Sequence, residues 1–246
     1  MTWESQLQRA LHRLRFFLTP VHPCSYLSGR NAATLFVDPE AEVDPTLYGH
    51  LAKLGFRRSG EHVYRPQCPS CQGCKSVRIP VAHFKPSRAQ RRTWAKNADL
   101  SVSTIPAAVV DEHYALYERY VNERHPGGGM DMSSPDDYAR FMLSRWSNTW
   151  MHEFRCGERL VAVAVTDHFS DGWSAVYTFF DPDEAARGLG VYAVLWQVRE
   201  LRRLGLPWLY LGYWIAECRK MSYKASFRPL EVHDGHEWRV LDSRGG

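Results

Sequence analysis

Three cysteines, Cys68, Cys71 and Cys74, recur at every third position of the run Cys-Pro-Ser-Cys-Gln-Gly-Cys. Thiolates at this spacing can turn inward onto one ion when a short loop carries them, and Cys24 lies upstream as a fourth candidate ligand. A zinc ion or an iron–sulfur cluster is the cofactor such a set would take. The run lacks the fourth cysteine of a ferredoxin-type cluster, because Arg78 stands where it would fall, and no histidine sits with the three. The alternative is a tight loop of reduced cysteines whose thiols only pack. Six cysteines in 246 residues are too few for a disulfide framework, which narrows the choice to metal or packing.

A basic stretch follows directly. Arg78, Arg88, Arg91, Arg92 and Lys96 could neutralise phosphates, and Trp94 could stack on a base or sugar. The plainer reading is a solvated helix face. The formal net charge of +4 is too small to define a nucleic-acid binder by itself, so the weight falls on this local cluster. Arg78 is set apart, because it interrupts the apolar strand Val77–Val81, where a charge is costly unless paired. A fixed guanidinium there suits bidentate capture of a carboxylate, although sequence alone favours a structural salt bridge. Near the other end, the aromatic strand Leu209–Ile215 leads into Cys218, Lys220, Met221, Tyr223 and Lys224. That segment could line an acyl-acceptor cleft, although strand alternation sends half of its aromatics into a core.

Elements must position these groups. The first nineteen residues read as a short amphipathic helix or a strand leading into Pro20 and Pro23, and Thr46 to Leu54 reads as a helix ended by Gly55. A new element begins at Phe56-Arg57-Arg58. Ser87 to Lys96 lacks Gly and Pro and predicts a helix capped by Ser87. Val109 to Asn122 has helical period, and Pro135 to Trp146 predicts a second helix with Ser134 as cap. Strands are expected at Trp150–Arg155, Leu160–Thr166, Trp173–Phe180 and Trp208–Trp214, with a long helix Leu189–Leu204 before the last and a turning segment through Lys224 after it. Three strands, a helix and a further strand is the order of the GNAT acyltransferase fold. The expected class is α+β, with a cysteine-containing α/β region over residues 1–100 and a GNAT-like transfer domain over 101–246.

A CoA-dependent GNAT enzyme cradles pyrophosphate at the start of its long helix. Here the corresponding loop is Arg187-Gly188-Leu189-Gly190-Val191-Tyr192, in which a tyrosine takes the final small position. A bulky side chain there would obstruct phosphates, so CoA is not expected as the donor. Met1 to Arg15 is polar, Phe16-Phe17-Leu18 is too short for a signal core, and no apolar run reaches a membrane span. A cytoplasmic protein without membrane partners is expected.

Longer segments carry a resemblance: Thr34-Leu-Phe-Val-Asp38, Leu54-Gly-Phe-Arg-Arg-Ser-Gly60, Tyr64-Arg-Pro-Gln-Cys68, Val77-Arg-Ile-Pro-Val81, Pro86-Ser-Arg-Ala-Gln-Arg-Arg92, Arg124-His125, Phe179-Phe-Asp-Pro182, and Leu209 through Lys224. In this order, across nearly the whole chain, they resemble the aminoacyl-tRNA–protein transferases of the N-end rule, above all the bacterial aspartate/glutamate leucyltransferases, relatives of eukaryotic arginyltransferase. The resemblance implies transfer of leucine from leucyl-tRNA to the α-amine of proteins beginning with Asp or Glu, which creates a degradation signal. It also implies a GNAT-like fold and no CoA. Eukaryotic members carry a C-x-x-C and a Cys-Cys pair linked to metal, where this chain has Leu27 and Gln72 in place of the second cysteines.

An aminoacyl ester is already activated. Attack by a neutral α-amine, with a pKa of roughly 7.7–8.0, needs positioning, deprotonation and stabilisation of the oxyanion, without an enzymic nucleophile. On this basis Arg78 and Arg88, with Lys224, are assigned to the acidic side chain, and Arg91, Arg92 and Lys96 to tRNA phosphates. Tyr213 and Lys220 are placed near the reacting carbonyl, with His125 or Asp181 relaying the amine proton. The rival readings are a CoA-dependent N-acetyltransferase, arginine as the transferred residue, and a non-catalytic protein that holds metal and RNA.

Overall fold

The computed structural model describes residues 11, 13–124 and 134–242. Its frame is a sheet of eight strands: β7 (Lys75–Pro80), β8 (Leu100–Pro106), β9 (Thr149–Cys156), β10 (Arg159–Phe169), β11 (Gly172–Phe180), β12 (Trp208–Trp214), β13 (Glu231–His233) and β14 (Trp238–Val240). They run in the order β14-β13-β7-β12-β11-β10-β9-β8. The earlier strands are β1 (Phe16–Leu18), β2 (His22–Pro23), β3 (Asn31–Ala32), β4 (Thr34–Val37), β5 (Arg57–Ser59) and β6 (His62–Pro66). Of these, β1, β4, β6 and β5 form a second, smaller sheet, and β2 pairs with β3. The helices are α1 (Pro45–Lys53), α2 (Arg88–Lys96), α3 (Asp111–Arg124), α4 (Pro135–Met142) and α5 (Leu189–Arg203). The class is a mixture of helix and sheet. Among the described residues, no helix is long and apolar enough to cross a membrane.

Alternation along β10 sorts the helices onto two faces. Ala162 and Ala164 join Leu189, Tyr192 and Ala193 of α5 in one apolar cluster. Val163 and Val165 join Leu116, Tyr117 and Val121 of α3 in another. The face with α3 also carries α1 and the small sheet, which meet the large sheet through Tyr48, Phe56, Phe169 and Tyr210. The face with α5 carries α2, whose Trp94 packs at the junction of two clusters that α5 builds. Helix α2 starts as the sequence predicts. Ser87 Oγ accepts from Gln90 N at 3.2 Å while the Gln90 side chain accepts from Ser87 N at 2.8 Å. Helix α4 is shorter than expected and stops at Met142 because Leu143 turns extended. Trp146 instead stands edge-on to Tyr48 of α1, with ring centroids 5.1 Å apart.

Strand β7, from the cysteine-containing region, is paired antiparallel on one side with β12 and on the other with β13. The segments before and after residue 100 therefore share one sheet. A second tie crosses the same boundary. The Arg58 guanidinium on β5 meets both carboxylate oxygens of Asp167 on β10 at 2.7 Å, with neither side chain exposed. Gly60, at φ +56°, lets β5 turn beneath α4, since a Cβ there would lie 2.1 Å from the Arg140 carbonyl oxygen.

Candidate active site

Strands β11 and β12 run parallel, yet they pair only where Gly172–Ser174 face Trp208–Tyr210. Gly172 permits that close start, because a Cβ would stand 2.0 Å from the Trp208 carbonyl oxygen. Beyond Tyr210 the register with β7 shifts and Gly212 takes a φ of +75°. The sheet is therefore open between β11 and the end of β12. The 3-10 segment Arg219–Ser226 closes back over that end. Gln90 of α2 donates from Nε2 to Ser226 O at 3.2 Å. Two residues earlier, Lys224 Nζ donates to Tyr213 O at 2.7 Å. Burial, and then the positive charge of Arg57, push the Lys224 amine down to about 8.

Arg57 is an unusual neighbour. It is buried at 4% exposure, donates from Nη1 to Ala52 O and Phe56 O, and reaches Ser76 Oγ through Nη2. Its Nε has no partner, and among the described residues no carboxylate pairs with it. Tyr213 closes the arrangement by donating its hydroxyl to Gly55 O at 2.9 Å and Tyr64 O at 3.1 Å. That hydroxyl is engaged in holding β12 to the small sheet, and burial raises its pKa well above the usual phenol. Tyr213 thus offers Lys224 a backbone oxygen while its phenol is tied down. Lys220 is exposed on the 3-10 segment.

Other expectations are corrected by the geometry. Arg78 is not free to read a substrate carboxylate. Its Nε meets Glu231 Oε2 at 2.8 Å, and its guanidinium lies 3.6 Å from the Trp208 ring centroid and 4.3 Å from that of Trp238. The salt bridge that the sequence offered as the alternative is the one observed. Asp181 cannot relay a proton as proposed, because it is buried, accepts from Asp183 N and is clasped by Arg119 at 3.1 Å and Arg159 at 2.8 Å. His125 lies outside the described residues. Trp94 is no open stacking platform, since Tyr192 stands 5.1 Å away and the Arg199 guanidinium covers it at 5.2 Å. Tyr192 itself points into the core at 5% exposure, so its bulk does not obstruct the loop before α5. Helix α2 covers that loop instead. Lys96 Nζ donates to Ala186 O at 2.8 Å, Asn97 Nδ2 donates to Arg187 O at 3.0 Å, and Thr93 abuts Gly188.

Arg88, Arg91 and Arg92 are exposed on α2 with Lys96. Arg91 donates to Pro86 O at 2.7 Å, and among the described residues Arg88 and Arg92 form no ion pair. These cations stand on the α5 face of the sheet, opposite α1 and the small sheet.

Cys24, Cys68, Cys71 and Cys74 are free, partly buried, and gathered round one cleft of about 280 Å³ that also touches Tyr213. Cys71 receives Gly73 N at 3.4 Å and Arg30 Nη1 at 3.5 Å, which lower its thiol pKa. Burial, reinforced by Cys68, Cys24, Cys71 and Cys218, pushes Cys74 up to about 11. Among the described residues, no three of His, Cys, Asp or Glu are placed to hold a metal ion.

Sequence reasoning gave no role to three residues beside this cleft: Arg57, Arg65 and Lys75. Arg57 and Arg65 lay inside segments quoted for the resemblance. An adjacent Arg-Arg pair next to the aromatic Phe56 at the start of a new element is the signal that was available.

Residues 22–92 match the family model described as arginine-tRNA-protein transferase, N terminus, and residues 112–234 match its C-terminal counterpart. The aspartate/glutamate leucyltransferase of Nitrosococcus oceani is 52% identical over 227 residues, covering 92% of this chain and 95% of that protein. The protein of the same description from Hahella chejuensis is 51% identical over 231 residues, covering 94% of this chain and 99% of its own. A solved C-terminal domain of a putative lysylphosphatidylglycerol synthetase from Agrobacterium fabrum aligns at 14% identity with a TM-score of 0.47, covering 79% of this chain and 71% of that one. That likeness is too distant to carry an argument.

Proposed function

Because the chain belongs to the arginine-tRNA-protein transferase family, we propose that it moves leucine from leucyl-tRNA to the α-amine of proteins whose first residue is Asp or Glu. It is an aminoacyltransferase. The observation that carries the choice of donor and acceptor is the near-full-length identity of 52% to a relative described as an aspartate/glutamate leucyltransferase. The element order supports a GNAT-like reading of the fold, and the opening between β11 and β12 is where the ester carbonyl would lie. With α2 packed over Ala186–Gly188, the loop before α5 offers no free cradle of the kind CoA uses, which supports a tRNA donor. The cytoplasm supplies that donor.

In the reaction the α-nitrogen forms a bond to the leucyl carbonyl carbon, and the ester bond to the terminal ribose oxygen breaks. One proton leaves the amine, and one must reach the ribose oxygen. Lys224, with a pKa near 8, matches an α-ammonium of roughly 7.7–8.0, so proton exchange between them is close to balanced. Neutral Lys224 takes the amine proton and, as an ammonium, can return it to the departing oxygen. Arg91, Arg92 and Lys96 hold tRNA phosphates on the other face of the sheet, and Arg88, first assigned to the acidic side chain, stands exposed with them on α2 and joins that set instead. No covalent enzyme intermediate is required.

The donor is tested with leucyl-tRNA and arginyl-tRNA in parallel against one Asp-starting peptide. Leucine is expected on the peptide with at least tenfold preference over arginine; preferential transfer of arginine would overturn the donor assignment.

A further inference from the structure

We propose that the cleft between β6, β7 and the β13–β14 turn seats the first side chain of the acceptor protein, with Arg65 and Lys75 receiving its carboxylate and Arg57 supplying positive potential from behind. This rests on the transferase reading and names the acceptor half of its site.

The cleft is short of negative charge. Arg65 lines it, has a buried Nε without a partner, and is backed by the Phe56 ring at 5.0 Å. Among the described residues, its one hydrogen bond to another side chain is a long one, from Nη2 to the neutral Gln67 Oε1 at 3.4 Å. Lys75 also lines the cleft and makes no ion pair among the described residues. Ser76 lines it as well, and behind Ser76 stands the buried, carboxylate-free Arg57. The acidic residue in the lining, Asp234, is already committed: Arg239 reaches it at 3.1 Å, and the amides of His236 and Glu237 donate to it at 2.9 and 3.0 Å. A low-dielectric recess with unpaired guanidinium groups is costly when empty and attracts an anion of matching shape. A carboxylate accepts the parallel donors of one guanidinium, and a neutral amide cannot.

Position supports the same ligand. Tyr213 touches the cleft with one side of its residue and holds Lys224 through its carbonyl. The side-chain carboxylate of a first Asp or Glu lies one or two methylene groups from the α-carbon that bears the amine, so fixing the carboxylate in the cleft brings the amine toward Lys224. A volume of about 280 Å³ suits a single residue rather than a folded terminus. Donor and acceptor then approach from opposite faces of β12, the tRNA along α2 and the peptide across the small sheet.

The test uses the full-length protein, leucyl-tRNA, and peptides that begin with Asp or Asn and are otherwise identical. Arg65→Met and Lys75→Met are each expected to raise the Asp-peptide KM, lowering its kcat/KM by about 10²-fold for Arg65 and about tenfold for Lys75. The KM for leucyl-tRNA should stay within twofold, and the preference for Asp over Asn should shrink in parallel. Arg65→Lys should restore part of the loss. If wild type transfers leucine to the Asp peptide while both methionine variants keep its KM, the cleft assignment fails and the transferase reading stands. If the variants raise the KM for leucyl-tRNA instead, the cleft belongs to the donor and the proposal is overturned. If wild type itself transfers nothing, the transferase reading fails first. Should Arg65→Met not fold, Lys75→Met and the charge reversal Lys75→Glu carry the same decision.

Discussion

Lys224→Met lowers leucine transfer at pH 7.5 by about 10²- to 10⁴-fold and leaves the KM values for tRNA and peptide nearly unchanged. Only a neutral amine can accept a proton, and Lys224 is lowered from its ordinary value near 10.5 to about 8 by burial and by Arg57. Its competent fraction therefore grows as pH rises through about 8 and falls away below it. The substituted peptide amine titrates in the same range, so a pH profile alone does not isolate the lysine. Lys224→Arg does, because arginine keeps the charge and can still donate to Tyr213 O, yet does not give up its proton. The arginine variant is expected to be as slow as the methionine variant, and small primary amines are expected to restore part of the rate in Lys224→Met. Arginine restoring wild-type rates would show that charge or packing is what the position supplies.

The same pKa shift separates chemistry from folding. A lysine whose folded pKa lies below its unfolded one binds fewer protons when folded, so stability rises with pH between about 8 and 10.5. Below that window the burial of the ammonium costs about 3 kcal/mol. Removing the amine should leave the fold at least as stable at neutral pH, and a denaturant midpoint equal to or above wild type is the check.

The largest loss of stability is expected at Arg58 and Asp167. Both side chains are fully buried, and their two contacts of 2.7 Å make a fork-to-fork pair. Arg58 also donates to Met142 O at 3.2 Å and Thr149 Oγ1 at 3.1 Å, while Thr149 donates to Asp167 at 2.8 Å. Removing one partner strands the other charge in the interior. Arg58→Met or Asp167→Leu should each cost about 3–5 kcal/mol, read as a fall in the denaturant midpoint at unchanged slope. The double variant should lose much less than the two single losses combined, because it leaves no orphaned charge. Strict additivity would contradict a coupled pair. Since Arg58 anchors β5 to β10, the single variants should also loosen Arg57 next to it, and activity should fall with stability.

Local signals placed most of the elements. Ser87 reads as a cap because its hydroxyl and the Gln90 amide close a reciprocal box within four residues, and β12 reads as a strand from its run of apolar and aromatic residues. What failed was non-local. The edge strand β8 and the β13–β14 hairpin take their places by pairing with β9 and β7. Arg78 looked available in sequence, since Glu231, 153 positions away, is invisible until β13 docks on β7. Asp181 was likewise claimed by arginines distant in sequence. Lys224 was picked out by its place after an aromatic strand, but its altered acidity depends on Arg57 and on the closed 3-10 segment. The cleft was not legible, because its walls come from five separate stretches of the chain.

The central claim is that this chain carries leucine from a charged tRNA to an acidic protein terminus. It is tested most directly with purified protein, tRNA bearing labelled leucine, and peptides starting with Asp, Glu or Asn, the products being sequenced from the N-terminus. Labelled leucine is expected ahead of Asp and Glu, with the Asn peptide at least tenfold slower. Release of free leucine without peptide product, or equal transfer to all three peptides, would contradict it.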